Sequence, residues 1–554
     1  MAVPPGIAFL TRSSLPLLCF GVLVYCAFGS IQRRADISIA PWVRLVAAVI
    51  TPPIVYLCRG FVAIFKTRRD AAAMGAITIP TVQESCFSIV GSIRHNFKNG
   101  YPGESYHKWS NEYGYTFILD LYSERQVVTM EPEHVKCTII EDINEGPIAI
   151  AAFGSLLGAG VFNSDGNKFL RCAPEPMLIV PTGDMWKFHR NMSRPLFSKD
   201  RIANFDNFER HAVSTISLIK ARLREGFPID FQDVVARFTL DSATEFLFGK
   251  DVESIAAANH PNFVNHPSNL FIRAFSRGLE HIAGRIQGGG TWPLLEFWKD
   301  NVQPHREAID RFTQPILTEA LNHKAEGIKI GSDEENMSLL DLLVRSTDNA
   351  KVIQDELLNI LTASLLTFAM YMMCEHPKMA QRLRAEILEK VGTRRPTYAD
   401  IHDMKYLRAF LNETLRLYPV VVAYSVFLMH RRTDLWGPDA LEFDPDRFLD
   451  SRLHKYLTPN PFIFVPFNAG PRICLGQQFA YNESSYYLIR LLQTFSSFSL
   501  ATDAQPAEGI PPKNWTKIPG TTKGRDKIMI GFHLTLYAKA GLWMRMKEVN
   551  EGSQ

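Results

Sequence analysis

The spacing of apolar residues predicts that most of this chain is helical from about residue 80 onward. One helix is predicted where apolar residues recur at the spacing of a single helical face, at Phe231, Val234, Val235 and Phe238. Asp230 precedes this run as a candidate cap, and Gly249 follows it as a candidate stop. A neighbouring helix is predicted in the same way from Val213, Ile216, Ile219 and Leu223.

Proline and glycine punctuate the rest of the chain. Residues 510–520 have the composition of loops and short strands, and three glycines at 288–290 predict a loop between two helices. The sequence shows no internal repeat and no low-complexity segment. We therefore predict a mainly α fold with a minor β part, in which residues 80–554 form one large domain.

The first 70 residues are more apolar than the rest. A run of 17 uncharged residues, 15–31, is followed by Arg33 and Arg34, and a second apolar stretch, 37–65, is interrupted by two arginines. A membrane span needs about 20 apolar residues. We predict an anchor region at 1–70 with one or two membrane helices. A cleaved signal peptide is the alternative for the first run, and a buried core helix for the second. The basic residues at 66–69 would place the following chain in the cytosol.

Residues 357–374 form a further uncharged stretch of 18 residues. Its length fits a membrane helix or a core helix that is buried on every side. Charged sequence of soluble character flanks it on both sides, so we favour the buried core helix.

Composition narrows the functional classes. Hydrophobic residues make up 46% of the 554 residues and charged residues 21%, which is typical of a globular protein. The net charge of +3 lacks the basic bias of nucleic-acid binders, so no nucleic-acid partner is expected. The eight cysteines include no C-x-x-C pair, which argues against a disulfide framework or a zinc site and suits a reducing compartment.

The most specific segment of the chain is Phe467–Gly476, which we call the cysteine loop. A thiolate that binds haem iron needs backbone room around the sulfur, N–H groups aimed at it, and a cation for a haem propionate. The glycines and Arg472 beside Cys474 meet these needs, and the helix expected from Gln477 would direct its positive end to the sulfur. The alternative is a buried structural cysteine.

In this loop the chain resembles the cytochrome P-450 superfamily, the haem-thiolate monooxygenases. Every fixed position of the family's Phe-x-x-Gly-x-Arg-x-Cys-x-Gly pattern is matched, by Phe467, Gly470, Arg472, Cys474 and Gly476. The resemblance implies the cytochrome P-450 fold and haem b (iron protoporphyrin IX) as cofactor. It implies Cys474 as the axial iron ligand, with the other four residues in the haem-binding loop.

Two further motifs carry the resemblance. Glu413 and Arg416 fit the family's Glu-x-x-Arg, and Arg447 lies in a segment like its Pro-Glu-Arg-Phe, which implies a structural network of these three side chains. Trp186 and Arg190 fit Trp-x-x-x-Arg, whose members contact haem propionates in the family. An amphipathic surface helix is the alternative for this second motif.

Three stretches look like the fungal branch that hydroxylates alkanes and fatty acids, namely 99–104, 237–249 and 474–480. That branch is bound to a membrane, which implies the endoplasmic reticulum with the catalytic domain in the cytosol. It takes electrons from a separate NADPH-cytochrome P-450 reductase. The implied substrate is an apolar small molecule, such as a fatty acid, an alkane or an aromatic.

The chain departs from the family at three places. About six residues of the oxygen-activation motif, including its acid and first threonine, have no counterpart before Thr362, a loss of about 9 Å of helix. Thr362 is the candidate remnant of the proton relay. Arg416 and Arg447 are only 31 residues apart, so pocket-wall strands near residue 422 have no counterpart either. Residues 167–183 look inserted.

Good resemblance resumes at once on both sides of each departure. Our hypothesis is that the three places are artefacts of splicing or of the gene model, and the rival is a genuine isoform or a decayed gene. The expected function is a membrane-bound monooxygenase. The alternatives are a haem-binding pseudoenzyme or mis-spliced product without the oxygen-activation motif, and a haem-thiolate isomerase or peroxide-driven enzyme.

Overall fold

The structure is a computed structural model of the chain. It describes residues 3–35, 38–121, 124–141, 147–158, 185–203, 205–258, 263–326, 338–346, 365–419, 425–533 and 535–549. The apparent insertion at 167–183, Thr362 and the junction near residue 422 lie outside these ranges.

Two long helices, Pro5–Ala35 and Pro41–Ala73, form the N-terminal region. They run antiparallel, since Gly21 lies against Ala48 while Gly29 lies near Arg44. Few of their residues are buried, and both helices are long and apolar enough to cross a membrane. The N-terminal end of Pro5–Ala35 contacts the body, where the Gly6 amide donates to the Phe297 carbonyl at 3.0 Å.

Helices make up most of the body, as the hydrophobic spacing predicts. Those of eight or more residues in the described part are Cys86–Lys98, Glu104–Tyr113, Pro132–Glu141, Pro147–Leu157, Met185–Ser193, Asp206–Arg224, Phe231–Phe248, Pro267–Gln287, Gln303–Ala325, Leu339–Ser346, Leu365–Glu375, Pro377–Lys390, Lys405–Leu417 and Gln477–Thr494. Shorter helical segments are Lys199–Ile202, Ser254–Ala257, Trp292–Leu295, Tyr398–Asp403, Val426–Met429 and Thr433–Trp436.

Three small antiparallel sheets complete the described fold. Thr116–Leu121 pairs with Glu124–Thr129, and Ile530–Phe532 pairs with Leu536–Ala538. The C-terminal strand Trp543–Glu548 lies between Ile229–Asp230 and Phe495–Leu500. The mainly α fold with a minor β part is confirmed.

The core lies where three helices meet. Residues 365–373, in the C-terminal part of the uncharged stretch 357–374, are buried. This confirms a core helix for the part that the structure describes. The helix Lys405–Leu417, which we call the Glu-x-x-Arg helix, packs beside it. The third is Gln477–Thr494, which begins directly after the cysteine loop. The Glu-x-x-Arg helix carries Glu413 and Arg416, and the cysteine loop lies directly before Gln477–Thr494.

The two helices predicted in detail have different outcomes. Phe231–Phe248 is capped by the Asp230 carboxylate and ends at Gly249 with a positive φ of 70°, as its sequence predicts. Asp206–Arg224 also forms, but our assignment of Val213 to its buried face is wrong, because that side chain is 45% exposed. His211 and Thr215 are buried instead and bond to the neighbouring helix or to their own backbone.

Candidate functional site

The cysteine loop is a tight turn held by its own backbone. The Cys474 amide donates to the Phe467 carbonyl at 3.0 Å and so closes the loop. Asn468 and Gly470 have φ values of +64° and +60°, in the left-handed region that glycine adopts without strain. Residues 470–472 then form a single 3₁₀ turn that delivers Cys474 to the start of the helix Gln477–Thr494.

Two backbone N–H groups are directed at the sulfur of Cys474. The amides of Gly476 and Gln477 donate toward its Sγ. Burial raises the pKa of the thiol above its ordinary value, while these two amides and the Arg190 guanidinium oppose that rise. The first turn of a helix supplies N–H groups without intrahelical partners, so negative charge on the sulfur is stabilised there.

Gly476 leaves room for the sulfur. A Cβ at this position would lie 3.9 Å from Cys474 Sγ and 3.7 Å from the Phe197 ring. A larger side chain would therefore fill the space beside the thiol.

Arg190 comes from a distant helix to the cysteine loop. It lies on Met185–Ser193 and donates from Nη1 to the Ile473 carbonyl at 2.9 Å, one residue before the cysteine. The structure thus brings Arg190 and Cys474 together, although they are far apart in sequence. The side chains of Trp186 and Arg472 lie outside the described set. Phe467 packs on Tyr481 of the following helix, with ring centroids 5.3 Å apart.

Glu413 and Arg416 form a buried ion pair on the Glu-x-x-Arg helix. Arg416 donates from Nε and Nη2 to the two carboxylate oxygens at 2.7 Å each. Neither side chain has exposed surface. The remaining donors of Arg416 reach the carbonyls of His430, Ala440 and Glu442.

Arg447 approaches the same carboxylate less closely. Its Nε lies 3.6 Å from Glu413 Oε1, which is an ion pair without a hydrogen bond. The Arg447 guanidinium instead donates to Asp439 and to the Trp436 carbonyl. The three predicted network residues therefore meet, and Asp439 is a fourth member that the sequence patterns did not single out.

His430 connects this network to Val465, two residues before the cysteine loop, and was also missed by the sequence analysis. Its Nδ1 lies 3.2 Å from the Arg416 carbonyl, and its Nε2 accepts from the Val465 amide at 3.2 Å. Burial, together with the charges of Arg416 and Arg431, lowers the pKa of the imidazole to about 3. A histidine before two arginines carries no sequence signal that marks such a position.

A buried acid follows the cysteine loop. Glu483 is enclosed on the helix Gln477–Thr494, and its Oε1 accepts from the Ser242 hydroxyl at 2.7 Å. Burial raises the pKa of this carboxyl to about 8, so it is protonated at neutral pH.

A family model and known proteins resemble this chain over most of its length. A family model described as Cytochrome P450 matches residues 83–425 and 421–514, and its two parts meet at 421–425. The chain is 31% identical over 448 residues to "Cytochrome P450 monooxygenase himC" of Aspergillus japonicus, with 73% of each chain covered. It is 30% identical over 459 residues to "Cytochrome P450 52A3-A" of Candida maltosa, with 73% of this chain and 82% of that one covered.

Proposed function

Because this chain belongs to the cytochrome P450 family of monooxygenases, we propose that it binds haem b through Cys474 and oxygenates an apolar substrate at a membrane. The observation that carries the proposal is the setting of the thiol, with two backbone amides directed at Sγ and the start of a helix behind them. This donor set fits a haem-thiolate ligand, since hydrogen bonds to the sulfur tune its electron donation.

The surrounding residues have proposed roles toward the haem. Its iron supplies the redox chemistry with molecular oxygen when the haem is bound. Gly470 and Gly476 keep the loop narrow, and Phe467 packs behind it. Arg190 lies beside the loop, and its guanidinium would hold a propionate of the bound haem. Trp186 and Arg472 are proposed as its partners on the propionates.

Glu413, Arg416 and Arg447 are proposed as a structural network rather than as catalytic residues. All three are buried, both arginines are ion-paired with Glu413, and both donate to backbone carbonyls. Their proposed role is to hold the chain between the Glu-x-x-Arg helix and the cysteine loop.

Location and partners extend the proposal. The two apolar N-terminal helices support an anchor at 1–70, with residues 80–554 as the catalytic domain. We propose that the domain faces the cytosol at the endoplasmic reticulum and receives electrons from an NADPH-cytochrome P-450 reductase. A fatty acid, an alkane or an aromatic is the proposed substrate class, on the resemblance of residues 99–104, 237–249 and 474–480 to the fungal branch.

The residues expected to activate oxygen are the part of the chain that favours a second candidate function. The sequence around Thr362 lacks the acid and first threonine of the relay, and the two parts of the family match meet at 421–425. Both observations favour a haem-binding pseudoenzyme or mis-spliced product as the alternative.

The first test is the absorption spectrum of the reduced protein with carbon monoxide. We expect the red-shifted Soret band of a thiolate ligand, and its loss in Cys474→Ser. Cys58→Ser is the matched control, because Cys58 is an exposed cysteine on the N-terminal helix Pro41–Ala73 and should leave the band intact. A wild-type protein without the thiolate band would contradict the proposed ligand.

The second test is turnover with reductase, NADPH and a panel of fatty acids, alkanes and aromatics. Hydroxylated product supports the monooxygenase. A thiolate band without product from any of them supports the pseudoenzyme. Turnover with peroxide but none with NADPH identifies a peroxide-driven enzyme.

A further inference from the structure

We propose that His430 is a positioning residue that sets the cysteine loop from the Glu-x-x-Arg helix. This inference rests on the proposed function, since it deepens the account of the same site. The ring is fully enclosed, and its two nitrogens contact two different segments of backbone. One of those segments leads directly into the cysteine loop.

The partners of the ring determine its tautomer. The Val465 N–H is a donor, so Nε2 must present its lone pair. The Arg416 carbonyl is an acceptor, so the ring proton must lie on Nδ1. Only the neutral imidazole satisfies both contacts, and the lowered pKa of the ring favours this neutral form at neutral pH.

The contact with Arg416 is reciprocal. The Arg416 Nη1 donates to the His430 carbonyl at 2.7 Å, while the His430 Nδ1 bonds the Arg416 carbonyl at 3.2 Å. The rings of Trp436 and Phe464 flank the imidazole, with centroids 6.2 and 5.4 Å away. Two hydrogen-bonded backbone groups and two aromatic rings therefore restrict the orientation of the imidazole.

The path from His430 to the sulfur is short. The Val465 carbonyl accepts from the Asn468 amide at 3.2 Å, at the first turn of the loop. Two residues beyond Val465, the Phe467 carbonyl accepts the Cys474 amide. His430 therefore bonds the backbone of the Glu-x-x-Arg helix at Arg416 and the backbone just before the cysteine loop at Val465.

Two substitutions separate the two contacts. In His430→Asn the amide nitrogen takes the place of Nδ1, so the bond to Arg416 stays and the bond to Val465 is lost. In His430→Gln the amide oxygen takes the place of Nε2, so the bond to Val465 stays and the bond to Arg416 is lost. The same pair of substitutions at His376, a half-buried histidine stacked on Phe443, is the matched control.

The first readout is amide hydrogen exchange of residues 464–475 in the full chain, which requires no haem. We expect exchange to accelerate about tenfold in His430→Asn, the factor that corresponds to one hydrogen bond of about 1.4 kcal/mol. His430→Gln and both His376 variants should exchange like the wild type there. Equal acceleration in both His430 variants, or none in either, would overturn the positioning role.

The second readout is the spectrum of the reduced carbon monoxide complex. His430→Asn should convert the thiolate band to a blue-shifted one faster than His430→Gln does, at equal haem content. Equal conversion in the two variants would count against the inference. A wild-type protein without any thiolate band would overturn the proposed function instead, while the exchange comparison would still decide the role of His430.

Discussion

Arg416 lies in the core without exposed surface, yet all five of its N–H donors have acceptors. Removing a charge from water is favourable only when the group is paired and its hydrogen bonds are made. The sequence motif predicts the partner Glu413, three residues away on the same helix face. The three carbonyl acceptors follow from the path of the chain and are not encoded in the motif.

Loss of the Glu413 carboxylate, which both arginines share, should lower the stability of the fold strongly. Glu413→Gln leaves two buried guanidinium groups, Arg416 and Arg447, without their shared counter-charge. We expect the free energy of unfolding to fall by about 3–5 kcal/mol, measured by denaturant titration. Asp503→Asn, which breaks an exposed pair with Arg545, is the control and should change little. Similar losses in the two variants would contradict a network held by buried charge.

The buried acid Glu483 predicts a pH dependence of stability. Its pKa is about 8 in the folded chain against an ordinary 4.5, so only the unfolded chain ionises between these values. Stability from this group is therefore fully present below about pH 4.5 and is lost as the pH rises to about 8, at about 1.4 kcal/mol per pKa unit.

Glu483→Gln keeps an acceptor for the Ser242 hydroxyl and removes the titration. Denaturant unfolding at about pH 5 and about pH 8 should show a smaller difference between the two conditions in this variant than in the wild type. Glu386→Gln, at a partly buried carboxylate that accepts two backbone amides, should retain the wild-type difference. An unchanged difference in Glu483→Gln would refute the assignment.

Among the elements, the helix Phe231–Phe248 shows how much of a helix the local sequence can predict. Its apolar spacing, its capping aspartate and its terminal glycine all occur within one continuous stretch, so the element was predictable from end to end. Asp206–Arg224 was predictable as a helix but not in its buried face, since Val213 is exposed and His211 is inside. Which face is buried depends on the neighbouring helix, where Glu245 bonds the His211 ring.

The Asp230 cap of the helix Phe231–Phe248 is expected to contribute measurably to the free energy of unfolding. Asp230 accepts the amides of Gln232 and Asp233 and also that of Leu542 beside the C-terminal strand. Asp230→Ala should lower the free energy of unfolding by about 2 kcal/mol, because a cap and a tertiary bond are lost together. Asp230→Asn retains an acceptor oxygen and should lie between this variant and the wild type. Equal loss in both variants would exclude the cap as the cause.

At the scale of the whole molecule, the apolar N-terminal hairpin contacts the body near Gly6 and is largely exposed elsewhere. Leu23 and Val49 lie near the middle of the apolar stretches 15–31 and 37–65 and are 65% and 66% exposed, whereas the core helix at 365–373 is buried. A similarly apolar sequence is therefore exposed in one place and buried in the other. Only the surroundings of each helix distinguish them.

Charge placed in the hairpin should oppose membrane insertion. The double variant Leu23→Arg, Val49→Arg adds about 2.5–3.5 kcal/mol per residue to the free energy of insertion at a helix centre. We expect the wild-type chain to stay in membranes washed with alkaline carbonate and the double variant to be released in large part. Leu449→Arg, at an exposed apolar residue of the body, should stay with the membranes. Retention of the double variant would contradict a spanning hairpin.

The sequence by itself determined the features that are local in the chain. These are the helical periodicity, the caps, the pairing of Glu413 with Arg416, and the cysteine loop that indicates the family. Each depends on residues a few positions apart, whose geometry follows from the backbone alone.

Tertiary structure alone decided which distant residues meet. Arg190 reaches the Ile473 carbonyl across 283 positions, Ser242 reaches Glu483 across 241, and His430 reaches Val465 across 35. Such contacts carry no sequence signal in a single chain, because each residue type fits a surface position equally well. They form because burial leaves every polar group in need of a partner, and the packing of the helices determines which partner is within reach.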